Sequence, residues 1–397
     1  MRPLKVCCII NGTGPGGAER MLGRVLKNVD PTEFELSVIS LNEFGLVAEE
    51  LQQLGIPVHA LNILRKRVPK AIIFSKIVRL LRTYKPDVVQ TWMYLSDLFG
   101  GLAAKVAGRL PVIWNIRHST LDPQIDSRNT IWTAHICGLL SRWVPHRIVL
   151  NAEVAQTIHV RARYAADKME VIPNGFDLDE FRPSRQARCT IRKELALSDR
   201  VPLVGLIGRF HPHKDHDTFF RAASIIGSDR SDVRFLLSGG ENVLKRHDIQ
   251  ALITNYGLHD RFSVLGHRSD VAAVYASLDV VVSSSLTEGF PNVVGEAMAC
   301  GIPCIATNVG DSATIVGDTG RIVPVRNAPA LANAVLELLK LPRESLVELG
   351  RAARQRVAAR YSIRHIATQY AKLWKEVAAT RKTICVSGPR SRLQKAA

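Results

Sequence analysis

Short runs of aliphatic and β-branched residues recur along the chain, and most are followed by stretches in which apolar residues return every three or four positions. The first pattern predicts buried strands and the second amphipathic helices. In the first half, strands are predicted over 4–10, 35–40, 57–61, 87–90, 112–115, 147–151 and 169–172, with helices over 18–26, 46–53, 71–83 and 97–107. The pattern restarts at Leu203-Val204-Gly205-Leu206-Ile207-Gly208, with strands over 234–238, 262–265, 280–283, 304–306 and 321–323. Helices over 328–341 and 344–380 close the second half. Strand–helix alternation of this kind argues for parallel sheets covered on both faces. The expected fold is α/β, with two doubly wound units joined near 180–200, where Pro183, Ser184 and a charge-rich stretch stand.

Composition narrows the classes. A chain of 397 residues is long enough for two cores. It is 46% hydrophobic and 22% charged, which fits a globular protein. No run of apolar residues is long enough to predict a transmembrane helix, and the N-terminal run 6–10 leads straight into a glycine loop. Seven cysteines without a CxxC pair do not form a disulfide framework, and a reducing cytosol is expected. The net charge of +17 divides as +7 in 1–185, +5 in 186–380 and +5 in 381–397. Such charge suits nucleotide phosphates or anionic lipid; no zinc finger, RNP motif or basic-helix pattern favours nucleic acid. The segment 64–85 carries eight basic residues and no acid (Arg65, Lys66, Arg67, Lys70, Lys76, Arg79, Arg82 and Lys85), with Ile73, Ile77, Leu80, Leu81 and Tyr84 at helical spacing. It reads as a sheet-covering helix whose basic outer face can meet an anionic membrane.

The chemistry concentrates in a few loops. Thr287-Glu288-Gly289-Phe290-Pro291-Asn292 follows the strand 280–283, and Glu296 comes eight positions after Glu288. Asn292 is expected to cap the following helix. Its N-terminus would offer unpaired N–H groups to a phosphate, and the carboxylates would suit sugar or ribose hydroxyls. Arg209 and Lys214 follow the first strand of the second half; one offers a planar fork and the other a mobile point charge to a diphosphate. His211, His213, Asp215 and His216 surround Lys214 without a regular ligand spacing, so no metal is expected. Gly12, Gly14 and Gly17 satisfy the dinucleotide fingerprint G-x-G-x-x-G after a strand. The acid such a site needs at the end of the next strand is replaced by Ser40, Leu41 and Asn42, with Glu43 beyond. A purely structural turn is the other reading of that loop.

Five segments in order carry a resemblance: Gly16-Gly17-Ala18-Glu19-Arg20, Pro173-Asn174-Gly175-Phe176-Asp177, Gly208-Arg209-Phe210 with Lys214, the Glu288-x7-Glu296 segment, and Val309-Gly310-Asp311. Over residues 4–375 the chain resembles the retaining, family-four type of glycosyltransferase (glycosyl transferases group 1). The resemblance implies a GT-B fold, with two Rossmann-like domains facing each other across a cleft. Residues 1–185 would bind acceptor and 186–358 the nucleotide sugar. A helix over 359–380 would cross back to the first domain, and 381–397 would be a disordered basic tail. The implied reaction transfers a hexose from a nucleotide-diphosphate sugar, expected to be a UDP-sugar, to an acceptor hydroxyl with retention. The acceptor would be a lipid-linked saccharide of an envelope or capsular polymer.

Several site roles follow from the resemblance. Glu288 would hold sugar hydroxyls, with Gly289, Phe290, Pro291 and Asn292 at the phosphate and sugar. Glu296 would accept from the ribose, Gly16 and Gly17 would approach the diphosphate, and Arg209 and Lys214 would stabilise the leaving group. His118, in Trp114-Asn115-Ile116-Arg117-His118-Ser119, would hydrogen-bond the sugar or the developing charge. No enzymic nucleophile, metal or other cofactor is implied. A cytoplasmic protein, peripheral on the inner membrane face, is expected. A nucleotide-sugar epimerase of the same fold and a non-catalytic nucleotide-sugar-binding scaffold are the alternatives.

Overall fold

The computed structural model describes residues 2–63, 69–123, 126–240 and 247–386. The chain forms two compact units, Met1–Gly175 with Ile363–Ala397, and Phe176–Ser362. The boundaries expected after 185 and 358 thus lie after Gly175 and Ser362. Of the tail expected to be disordered over 381–397, residues 381–386 instead continue the last helix; 387 onward and the stretch 64–68, with Arg65, Lys66 and Arg67, lie outside the described residues.

Unit 1 runs β1 (Leu4–Ile10), α1 (Gly17–Lys27), β2 (Phe34–Ser40), α2 (Leu46–Gln53), β3 (Val58–Ala60), α3 (Lys70–Tyr84), β4 (Val88–Trp92), α4 (Tyr94–Gly108), β5 (Val112–Ile116), α5 (Arg128–Leu140), β6 (Arg147–Leu150), α6 (Glu153–Arg161) and β7 (Met169–Val171). Unit 2 runs α7 (Arg185–Glu194), β8 (Leu203–Ile207), α8 (His216–Asp229), β9 (Arg234–Ser238), α9 (His247–Asn255), β10 (Phe262–Leu265), α10 (Val271–Ser277), β11 (Val280–Ser283), α11 (Asn292–Ala299), β12 (Cys304–Thr307), α12 (Ser312–Val316), β13 (Arg321–Val323), α13 (Ala328–Lys340) and α14 (Arg343–Tyr361). Helix α15 (Ile363–Val386) then rejoins unit 1.

Both sheets are parallel, in the orders β3-β2-β1-β4-β5-β6-β7 and β10-β9-β8-β11-β12-β13. Each is doubly wound, as the alternation predicts. The strand order reverses direction between β1 and β4 in unit 1 and between β8 and β11 in unit 2. Loops leaving the carboxyl ends of such strand pairs are where open α/β sheets bind ligands. Strand β1 is buried on both faces from Val6 to Ile10, which explains why it reads as an unbroken apolar run.

The long terminal pattern expected as one helix over 344–380 is two helices. Ser362 takes extended backbone (φ −63°, ψ 139°), pairs with Phe176 as an isolated bridge, and ends α14. Beyond the break, Ile363, Ile366, Tyr370 and Trp374 fill the unit 1 core beside Val6 and Trp92. Burial of each such large side chain contributes about 1.5–3 kcal/mol. Their polar ends are satisfied: Trp374 Nε1 donates to Gln90 Oε1 (2.6 Å), and Asn115 Nδ2 donates to the Tyr370 hydroxyl (3.0 Å).

On α3, Ile73, Ile77 and Leu81 are buried while Lys76, Arg79, Arg82 and Lys85 are exposed, so its apolar face packs inward under a basic surface. Cys300 and Cys304 are buried and free. Among the described residues no helix is long and apolar enough to cross a membrane.

Candidate functional site

In unit 2, the loops leaving β8 and β11 are tied together. The β8 loop ends in a short 3₁₀ turn, Pro212–Lys214, and Asp215 then caps α8: its Oδ1 accepts from Thr218 N (3.3 Å) and its Oδ2 from Thr218 Oγ1 (2.6 Å). From the other loop, Leu286 N donates to His213 O (2.7 Å) and Ser284 Oγ to Lys214 O (2.7 Å). This fastening delivers Lys214 Nζ to Glu288 Oε1 at 2.5 Å, and Ser285 Oγ donates to the same oxygen at 2.7 Å. Both side chains are mostly buried, at 22% and 16% exposure, so their attraction is screened less than that of a surface pair. Lys214 and Glu288 were assigned separately to diphosphate and sugar, and the structure brings them into contact.

A third loop locks this geometry. Gly310, at φ +53°, lies so close to the Glu288–Gly289 backbone that a Cβ would stand 2.3 Å from Gly289 O. Asp311 N donates to that carbonyl at 2.9 Å. The Val309-Gly310-Asp311 segment therefore supports the Glu288 loop from beneath.

Asn292 does not cap α11. Pro291 is the N-cap residue (φ −73°, ψ 95°), without a side-chain bond, and Asn292 is the first helical residue. Proline's fixed φ, with extended backbone at this position, starts the helix one residue earlier than the sequence suggests. Phe290 anchors the turn by stacking on Phe176 (6.1 Å) and meeting Tyr361 edge-on (5.5 Å). Glu296 is partly buried, and its Oε2 accepts from the Tyr275 hydroxyl at 3.2 Å. Burial first, and then the Glu296 charge, push the Tyr275 hydroxyl well above its usual range, so it stays a donor. Arg209 is exposed and makes no ion pair among the described residues.

The histidines around Lys214 take other work: His211 and His213 stack (4.5 Å), and buried His216 packs on Phe210 (4.6 Å). Among the described residues, no group of three or more His, Cys, Asp or Glu side chains is arranged to hold a metal.

In unit 1, the glycine loop after β1 is fixed by buried Thr13. Its hydroxyl donates to Glu43 O (2.9 Å) and accepts from Gly45 N (2.9 Å). Gly16 is the N-cap of α1, and Gly17 opens the helix. Glu43 Oε1 stands 3.3 Å from where a Cβ on Gly12 would be, and Glu19 Oε2 stands 2.2 Å from one on Gly16. Two carboxylates therefore flank the loop, and burial, reinforced by Glu43, raises the Glu19 pKa. Position in sequence hides this, because Glu43 lies beyond the end of β2.

His118, after β5, bonds through Nε2 to Asp126 Oδ1 (2.5 Å), whose other oxygen accepts from Thr120 Oγ1 (2.7 Å). The Tyr94 ring meets His118 edge-on at 6.0 Å, and the Tyr94 hydroxyl is 2.7 Å from His159 Nε2. His159 Nδ1 lies 2.7 Å from the Ala155 carbonyl and must donate to it, so Nε2 accepts from tyrosine. Burial depresses His159 to about 4, which keeps it neutral.

Two further residues here carry no sequence motif. Asp97, in the first turn of α4, is fully buried and accepts from Thr91 Oγ1 at 2.5 Å. Desolvation, only partly offset by that bond and one from the Asn115 backbone, raises it to about 8. Arg117 lies over the Trp92 ring (5.1 Å), donates to the Tyr370 hydroxyl (3.3 Å) and hydrogen-bonds Asn174 of the Pro-Asn-Gly segment. Its signal is the arginine just before His118.

Both halves of the chain resemble known proteins. Residues 15–180 match the family described as Glycosyltransferase Family 4, and residues 201–341 match Glycosyl transferases group 1. An Escherichia coli UDP-Gal:alpha-D-GlcNAc-diphosphoundecaprenol alpha-1,3-galactosyltransferase is 25% identical over 66% of this chain and 68% of its own length. The D-inositol 3-phosphate glycosyltransferase of Mycobacterium sp. (strain JLS) is 31% identical over 54% of this chain, which spans about half (48%) of that enzyme. The crystal structure of Anabaena HepE in complex with UDP superposes with a TM-score of 0.80 at 23% identity, covering 94% of this chain and 100% of HepE. The chain has the fold of two Rossmann-like units that this likeness shows.

Proposed function

We propose that this chain, whose family matches and GT-B fold support a glycosyltransferase, transfers a hexose from a UDP-sugar to an acceptor hydroxyl with retention. The observation that carries the reading is the Lys214–Glu288 pair at the β8/β11 switch point, with Ser285 on the same oxygen. A carboxylate so held is an acceptor for sugar hydroxyls. Its ammonium partner, with exposed Arg209, is a source of positive charge for a departing diphosphate. Glu296, steadied by Tyr275, takes the ribose hydroxyls, and the peptide groups of Gly289 to Asn292 serve the phosphate at the α11 N-terminus. In unit 1, Gly16 and Gly17 allow close backbone approach, and His118, whose Nε2–H is held by Asp126, offers Nδ1 as an acceptor to a sugar hydroxyl. The diphosphate oxygen released on transfer takes the acceptor proton, so no protein nucleophile is required, and the cationic side chains make a metal unnecessary.

The acceptor is proposed to be a lipid-linked saccharide, in line with the diphosphoundecaprenol acceptor in the galactosyltransferase's name. A thermal-shift screen against UDP-, GDP- and ADP-sugars tests the donor, since a ligand bound by the native state alone raises the melting temperature. Stabilisation by UDP-sugars is expected. Donor-dependent product should then show retained anomeric configuration by NMR. An inverted product, or stabilisation confined to GDP- or ADP-sugars, would refute the corresponding part.

A further inference from the structure

Helix α5 is apolar on two sides. Ala134, Cys137 and Gly138 are buried against unit 1. On the opposite side Trp132, Ile136 and Leu139, continued by Trp143 just past the helix, recur at spacings of four, three and four and are exposed by 70%, 41%, 54% and 72%. A helix apolar all round is normally covered on every side, and contiguous exposed apolar surface marks an interaction site. Tryptophan in particular favours surfaces where one end of its ring is apolar and the other wet.

The surroundings are cationic. Between residues 127 and 152 the chain has three arginines, Arg128, Arg142 and Arg147, and no acid. Beside Trp143 lies a cavity of about 230 Å³ whose lining includes Lys105, His146, Arg147 and Lys168, with Glu376 as its acid. Lys168 is anchored there by the Arg142 and Pro145 carbonyls (2.6 and 2.8 Å). Lys105 makes no ion pair among the described residues. Burial, and after it the Lys168 charge, lower the Lys105 pKa. Burial and the charges of Lys105, Lys168 and Arg147 hold His146 at about 4. The cavity thus gathers positive charge beside the tryptophan that bounds it.

We infer that the Trp132–Trp143 face of α5, with the adjoining cationic cavity, docks unit 1 onto an anionic phospholipid surface. The indoles and aliphatic side chains enter the headgroup boundary, and the cavity takes a lipid phosphate. Apolar residues flanked by arginines and a phosphate-sized basic cavity match this occupant, whereas a complementary protein face would have to supply both an apolar groove and acids. The inference deepens the lipid-linked acceptor reading by placing the membrane contact on α5 and not on α3, whose apolar side is buried.

The test uses the full chain without sugar donor. Trp92, Trp114 and Trp374 are fully buried, so a change in emission on adding vesicles reports on Trp132 and Trp143. Vesicles of phosphatidylcholine with phosphatidylglycerol should shift the emission to the blue and sediment the protein; phosphatidylcholine alone should do so weakly. W132S/W143S should weaken sedimentation about tenfold or more, and R142Q/R147Q should remove the preference for the anionic lipid. UDP-sugar binding, followed by calorimetry on the same samples, should be unchanged, so loss of docking and failure of the donor reading are separable. Absence of binding to anionic vesicles at low salt, or equal binding by W132S/W143S, would overturn the inference. So would a wild-type dimer that the double substitution makes monomeric, because a second copy would then cover the stripe.

Discussion

The two units place a carboxylate beside the same topological feature and treat it in opposite ways. At the β8/β11 switch point, Glu288 meets Lys214 and Ser285. At the β1/β4 switch point, Asp97 is buried with Thr91 and no cation, and its Oδ2 has no partner. One carboxylate has a cationic partner in contact; the other is held neutral by the cost of desolvating its charge. A shared fold therefore does not dictate the electrostatics of its ligand edge. Unit 2 sets a cation against its carboxylate at this edge, whereas unit 1 buries Asp97 without one behind a glycine loop flanked by Glu19 and Glu43.

The strongest way to break the comparison is by pH. Asp97 has a folded-state pKa of about 8 against an ordinary value of 3.8. The stability it contributes is complete below its unfolded pKa and is lost as pH rises through about 8. The loss should reach about 6 kcal/mol across that window. Urea titrations of wild type and Asp97→Asn from pH 4 to 9 should show the variant gaining relative stability as pH rises. A constant difference would mean Asp97 ionises normally.

Next in size, Lys214→Ala should lower turnover by about 100-fold, as removal of a charge-stabilising group does. Because Lys214 and Glu288 touch, the double variant Lys214→Ala/Glu288→Gln should lose less than the product of the single losses. Strict multiplicativity in steady-state kinetics would mean the pair does not act as a unit.

Smaller effects sharpen the division between the two units. Gly16→Ala meets only the movable end of Glu19, so its melting temperature should stay close to wild type. Donor KM should nevertheless rise about tenfold if the loop backbone approaches the diphosphate, as glycine loops allow. An unchanged KM would return the loop to a structural turn. Glu296→Gln should weaken UDP affinity about tenfold, the scale of exchanging a charge-assisted hydrogen bond for a neutral one. Calorimetry in which Glu288→Gln, and not Glu296→Gln, weakens UDP binding would reverse the two roles. The smallest expected change is none: activity should survive exhaustive EDTA, and restoration of lost activity by Mg²⁺ or Mn²⁺ would point to a different mechanism.

What the sequence made legible follows the same physics. Strands β1, β9, β10, β11 and β13 match their predicted bounds; for the central β1 and β11 this is because a strand buried on both faces is a continuous apolar run between turn residues. Helix α5 escaped prediction because apolar residues on both sides leave no clear helical period. The break at Ser362 was invisible because α14 and α15 are both rich in helix formers, and it is backbone pairing with Phe176 that separates them. Within the site, the residue types around Glu288 and Lys214 were readable from their loops. Their direct contact was not, since 74 positions separate them. Asp97 was unreadable as a neutral acid, because only its surroundings, and not its neighbours in sequence, set its proton affinity.

The return of α15 to the unit 1 core has a consequence for how the protein is made. On the ribosome, everything from Phe176 to Ser362 must be synthesised before the residues that complete unit 1 emerge. At about 5–20 residues per second, that delay is on the order of ten seconds or more. During it, Trp92 and Asn115 await Tyr370, and Gln90 awaits Trp374. Unit 2 is contiguous and can close first. The N-terminal half of the gene thus encodes the domain that finishes last, and a chain halted before α15 would present an open apolar sheet face to chaperones and proteases.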